Sequence, residues 1–182
     1  MDLWRAKLVL FESLLLEWGG VHNLSGAKNH QDIEHNIQDS LQVLDFIAPF
    51  KSCLDIGSGA GFPAIPLSLA CPHARFILLE PNAKKVAFLH HVKVALNLNN
   101  LEIQRMRIEH VSPQSVLVDL ITSRALMNAQ NLITLSAPFL REQGHFLFYK
   151  GSHLHAEITC ADHECHVYGK RVYFYSQRRD FA

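Results

Sequence analysis

The sequence predicts an α/β domain with a mainly parallel sheet, entered through a short helical region. Three observations carry this reading. From residue 52 onward, short apolar runs alternate with stretches of helical periodicity, the order of strand and helix that builds parallel sheets. Those runs are apolar at successive positions, as strands are when helices cover both faces. A glycine-rich turn, Gly57-Ser58-Gly59-Ala60-Gly61, joins the first run to the first helix of the series.

The 182 residues suit one compact unit, a helical cap over 1–50 and a sheet domain over 51–182. Leu3, Lys7, Leu8, Phe11, Leu14, Leu15 and Trp18 recur at three- and four-residue spacings, which predicts an amphipathic helix stopped by Gly19-Gly20. Ile33, Ile37, Leu41, Leu44 and Ile47 predict a second helix from Gln31 to Phe46, ended by Pro49. Strands are expected over 52–57, 75–80, 101–106, 116–123 and 144–150, with helices over 62–70, 82–96 and 128–139. Residues 164–169 and 170–176 read as a closing antiparallel hairpin that turns at Gly169-Lys170.

With 48% hydrophobic and 19% charged residues, the chain is neither disordered nor fibrous. Lys plus Arg and Asp plus Glu both number 17. The balance is local: residues 1–50 hold three basic against seven acidic residues, a net −4, which leaves +4 for the rest. That argues against an all-over nucleic-acid coat. Between Arg75 and Arg107 six basic residues face two acidic ones, which fits an RNA-facing surface or an ordinary solvated helix face. Cys53, Cys71, Cys160 and Cys165 form no CxxC pair, and the Cys160–His166 cluster has no usual zinc spacing, so no metal is expected and those thiols read as incidental. No basic leader and no apolar run of 18 residues is seen, so the expectation is a cytoplasmic protein without a membrane partner.

The turn after the first strand is the strongest local signal. Its GxGxG spacing, with Asp55 just before it, differs from the GxGxxG of dinucleotide binders. It is the pattern of proteins that hold S-adenosylmethionine, through Gly57, Ser58, Gly59 and Gly61. Glu80 ends the second strand, 19 residues after Gly61, where a carboxylate accepts both ribose hydroxyls of a nucleoside and repels a 2′-phosphate. Ile108 and Glu109 follow the third strand, where an apolar side chain and backbone amides suit a flat base. Arg124 and Lys150 end the fourth and fifth strands, on the rim where open α/β sheets bind ligands.

In order, Trp18, Val21, Asn23 and Leu24, then Asp39-Ser40, Asp55 through Pro63, Leu79-Glu80, Arg107 through Glu109, Ser123 through Ala125 and Lys150-Gly151 resemble the motifs of a known family. It is that of the small-subunit ribosomal RNA guanine-N7 methyltransferases, long known as glucose-inhibited division protein B, and the similarity spans about residues 18–151. The resemblance implies a class I S-adenosylmethionine-dependent methyltransferase fold, Rossmann-like, under an N-terminal helical cap. It also implies methyl transfer from S-adenosylmethionine to N7 of one guanine of 16S rRNA in the small ribosomal subunit of a bacterium. By the same resemblance Gly57, Phe62, Ile108, Glu109 and Arg124 fall on cofactor positions, Asn23, Asp39 and Ser40 on cap positions bordering the pocket, and Lys150 on a basic position near the substrate mouth. The family usually has arginine and histidine where His35 and Asn36 stand, often a basic residue and tyrosine at Gly20 and His22, and a glycine at Ala64.

Guanine N7 carries an in-plane lone pair and no proton, so it attacks a sulfonium methyl without a general base. The absence of a Ser/His/Asp set, paired carboxylates or a Pro-Pro-aromatic motif agrees with this, and leaves Arg124 and Lys150 as positioning candidates. A monomer is expected. The competing readings are a methyltransferase of the same fold acting on tRNA, protein or a small molecule, a non-catalytic ribosome-assembly protein, and a nicotinamide oxidoreductase, the last disfavoured by the GxGxG spacing.

Overall fold

The computed structural model describes residues 3–22, 24, 29–124, 126–151, 154–158, 161–169 and 171–178. The parallel strands are β1 (Ser52–Ile56), β2 (Arg75–Leu79), β3 (Leu101–Gln104), β4 (Val118–Arg124) and β5 (Leu140–Lys150). The hairpin β6 (Cys165–Tyr168) and β7 (Arg171–Gln177) completes a seven-stranded sheet of order β3-β2-β1-β4-β5-β7-β6. Strand β7 is antiparallel to both β5 and β6. The chain order reverses between β1 and β4, which places a ligand crevice above their carboxyl ends.

Side-chain alternation sends each strand's residues to two separate cores. Cys53, Phe76, Leu78, Leu120, Leu147, Tyr149 and Tyr173 meet the face covered by α1 (Leu3–His22), α2 (His30–Gln42), α3 (Ala64–Ala70) and α4 (Ala83–Ala95). Leu54, Ile56, Ile77, Ile121, Phe146, Phe148 and Phe174 meet the face covered by α5 (Ala129–Ser136) and α6 (Leu154–Glu157). The N-terminal helices share the first core: Phe11 of α1 packs with Phe62 and Phe88 at ring-centre distances of 5.4 and 6.5 Å.

Capping sets several helix starts. Asn29, Asn82 and Asn128 each accept amide bonds from the first turn of α2, α4 and α5. Several boundaries differ from the sequence reading, three of them for a visible reason. Helix α1 runs through Gly19-Gly20 to His22, since neither glycine takes the left-handed conformation with which glycine ends a helix. Helix α2 tightens into a 3-10 turn at Val43–Asp45. Strand β5 begins at Leu140 rather than 144, since Leu140 pairs with Val118 across a register shift. Cys165 is disulfide-bonded, not the incidental thiol expected. Among the described residues no helix is long and apolar enough to cross a membrane, and no group of three or more His, Cys, Asp and Glu is placed to hold a metal ion.

Candidate active site

The loop after β1 is shaped by its glycines. Gly57 has φ +73° and a side-chain atom there would sit 2.9 Å from Leu126, while Gly61 has φ +94° and would meet Ile65 at 2.6 Å. Backbone bonds then set the curve: the Gly57 and Ser58 amides donate to the Leu79 carbonyl at 2.9 and 3.1 Å, and the Gly61 amide donates to the Ser58 carbonyl at 2.8 Å. Glu80 ties this loop to the next one. Buried to 5% exposure, its carboxylate accepts from the Gly59 and Asn82 amides, both at 2.8 Å. Its carboxyl group is therefore fixed on the cleft wall, not a solvated strand end.

Above the loop lies a cleft of about 730 Å³, whose lining includes Gly57, Ser58, Gly59, Phe62, Glu80 and Arg124. A narrower slot of about 190 Å³ adjoins it past Gly57 and Leu126 and is lined by Ile56, Leu79, Met106, Ile108, Glu109 and Met127. Apolar walls beside a fixed carboxylate fit a nucleoside, with the flat base in the slot and the ribose hydroxyls on Glu80. The open space over Gly59, where a side chain would meet nothing nearer than 3.8 Å, admits the rest of such a ligand.

Asp55 is placed differently from a lining residue. It lies beneath the loop, fully enclosed, and accepts the Thr122 hydroxyl at 2.7 Å on Oδ1, while Oδ2 has no partner among the described residues. Burial pushes its carboxyl up to about 7, against the pull of Ser58 and Thr122.

The wall opposite the glycine loop is a side-chain network. Arg124 donates to Asn36 Oδ1 and its guanidinium lies 5.6 Å from the Phe62 ring centre. Asp39 stands behind it, 3.7 Å from Arg124 and 3.4 Å from Arg171. Burial pulls the Arg124 guanidinium below its ordinary value, and the Asp39 charge opposes that. Asp39 accepts the Tyr173 hydroxyl at 2.6 Å, and Tyr149 donates to the Ser40 carbonyl at 3.0 Å. Asp39 and Ser40 are thus buried braces behind the cleft, not residues that face a substrate directly.

Lys150 departs furthest from its expected place. Only 8% exposed, its ammonium donates to the Met127 carbonyl and pairs with Glu157 at 2.7 Å, so it anchors the segment after β4 rather than facing the mouth. Asn23 lies outside the described residues. Sequence reasoning missed Asp32, Lys85, Leu126 and Arg171 as lining residues, and Glu157 as the partner of Lys150. Lys85 stood in the basic stretch already noted; nothing in the local sequence links the β7 residue Arg171 to a cleft beside β1.

A sequence profile of the family described as GidB, rRNA small subunit methyltransferase G, matches residues 5–180. The chain belongs to this family. Ribosomal RNA small subunit methyltransferase G of Helicobacter bizzozeronii is 94% identical over 178 residues, covering 98% of this chain and 99% of that one. The methyltransferase G of Helicobacter pylori strain 26695 is 54% identical over 173 residues, covering 94% and 96%. The chain also shares the class I S-adenosylmethionine-dependent methyltransferase fold with more distant enzymes. Coclaurine N-methyltransferase, solved with N-methylheliamine and S-adenosylhomocysteine, has a TM-score of 0.58 at 16% identity over 78% of this chain and 43% of its own. A ribosomal protein methylase of Lactobacillus delbrueckii has a TM-score of 0.59 at 16% identity over 82% and 79%.

Proposed function

We infer that this chain transfers a methyl group from S-adenosylmethionine to N7 of a guanine in 16S rRNA of the small ribosomal subunit, acting as a cytoplasmic monomer. The near-full-length kinship with methyltransferase G carries the reading. The donor set of the cleft fits the cofactor: a buried carboxylate at the end of β2, an apolar slot at Ile108 and an open backbone edge at Gly59. When bound, S-adenosylmethionine supplies an electrophilic methyl on a sulfonium that leaves as a neutral thioether.

In this reading Glu80 takes the ribose, Ile108 and the segment to Glu109 wall the adenine, and Gly57 to Gly59 pass the ligand along the loop edge. Arg124 and Phe62 form the far floor, with His35 and Asn36 of α2 bordering the side from which the base enters. The chain then works by alignment. Guanine N7 needs no proton removed, so the wall has only to hold the lone pair in line with the methyl and exclude water. Asp39 and Ser40 act through Arg124 and the sheet, and Lys150 through the segment after β4. The test is transfer of labelled methyl to small subunits lacking the modification, with naked rRNA in parallel, followed by nucleoside analysis. Label in 7-methylguanosine is expected; label in another nucleoside, or none from a protein that still binds cofactor, overturns the substrate assignment.

A further inference from the structure

Helix α2 sets one neutral amide on the wall of the cleft. Ile33, Asn36, Ile37 and Ser40 recur at three- and four-residue spacings, and Ile33 and Ser40 are buried, so this stripe faces the protein. Asn36 stands half-buried within it and lines the cleft together with Gly57, Gly59 and Phe62.

The orientation of its amide follows from its neighbour. Asn36 Oδ1 accepts from Arg124. A guanidinium has only donors, so the oxygen of the amide is the end that faces it; reversed, donor would meet donor. Arg124 is itself held, by the Phe62 ring 5.6 Å from its guanidinium and by Asp39 at 3.7 Å. The amide nitrogen, Nδ2, is left over. It has no acceptor among the described residues and, unlike Arg124 Nη1 and Asp39 Oδ2, it is not enclosed by protein. A fixed, neutral N–H donor therefore stands in the cleft.

That donor has the right character for the base to be methylated. Guanine offers two acceptors side by side, N7 and O6, where adenine offers N7 and an amino donor. Arginine reads guanine by donating to both acceptors at once, which would occupy the N7 lone pair that the reaction needs. A single donor at O6 leaves N7 free. Asparagine reads adenine by accepting from its amino group and donating to N7. With Oδ1 turned onto Arg124, that pairing is closed to Asn36. The cations that line the cleft, Lys85 and Arg171, suit phosphates instead.

We propose that Asn36 donates through Nδ2 to O6 of the guanine being methylated, which favours guanine over adenine and leaves the N7 lone pair free to attack. This rests on the methyl-transfer reading above. The test measures kcat/KM for labelled methyl transfer to small subunits lacking the modification, with S-adenosylhomocysteine affinity by calorimetry beside it. Asn36→Ala removes the donor and should lower kcat/KM by about tenfold. Asn36→Asp keeps the acceptor for Arg124 but turns an acceptor toward O6, and should lower it on the order of a hundredfold. Cofactor affinity should be unchanged in both, and both losses should persist from about 50 to about 200 mM salt. Asn36→Asp as active as the unaltered chain, or more active than Asn36→Ala, overturns the proposal, since holding Arg124 is then the whole role of the residue. So does a loss that disappears at the higher salt, which marks repulsion of a phosphate, or a parallel fall in cofactor affinity, which marks a cofactor contact. If the unaltered chain transfers no methyl to the subunits, the functional reading falls as well; if it does and Asn36→Asp matches it, only this proposal falls.

Discussion

The two walls of the cleft are built in opposite ways. The wall over β1 and β2 is local and made of backbone: residues 55–62 curve on their own amides, and Glu80 locks the curve by accepting from Gly59 and Asn82. The wall opposite is assembled at long range from side chains: Asn36 and Asp39 of α2, Arg124 of β4, and Arg171 and Tyr173 of β7. A backbone cradle is rigid and tolerant of what surrounds it. A side-chain network of buried charges depends on every member; in the function proposed above, the cofactor lies along the first wall and the substrate along the second.

Breaking the long-range wall should cost most. Asp39→Ala removes the counter-charge behind Arg124 and Arg171 and the acceptor of Tyr173, and should lower stability by about 3 kcal/mol, read by urea unfolding. Asp39→Asn, which keeps an acceptor for Tyr173, should recover part of that. On the local wall Glu80→Gln keeps one oxygen but loses the charge, so S-adenosylmethionine affinity should fall by about tenfold or more with a smaller change in stability. Lys150→Met should cost about 2 kcal/mol by leaving Glu157 and the Met127 carbonyl short of a donor. The salt dependence of its RNA binding should match that of the unaltered chain, since a buried ammonium neutralises no phosphate.

The last prediction is a pH dependence. The folded chain holds the Asp55 proton more tightly than the unfolded chain does, with a carboxyl raised from 3.8 to about 7. Stability from this group is therefore full below the unfolded value and is lost as pH rises through about 7. Asp55→Asn should lose less stability than the unaltered chain between about pH 5 and 8, measured as thermal midpoints across that range.

The same contrast explains what could be read in the sequence. Gly57, Gly59, Gly61 and Glu80 were legible because local backbone geometry dictates them, and the alternation of apolar runs located five parallel strands and the closing hairpin. The roles of Asp39, Ser40 and Lys150 were not legible. Asp39 and Ser40 are set by partners far along the chain, Tyr173 and Tyr149, and Lys150 by the Met127 carbonyl and by a glutamate seven residues on, in a four-residue helix too short to show a periodicity. A rim position tells where a side chain starts, and only packing tells whether its charge ends in solvent or in a buried pair.

The most direct measurement is calorimetric titration of S-adenosylhomocysteine into the unaltered chain, Glu80→Gln and Arg171→Ala. Arg171 is nearly half exposed, at 46%, on the wall opposite the glycine loop. Binding weakened about tenfold or more by Glu80→Gln, and unchanged by Arg171→Ala, is the predicted result. Cofactor affinity that survives the loss of the Glu80 charge, or that falls with Arg171, would contradict a cofactor held by the local wall.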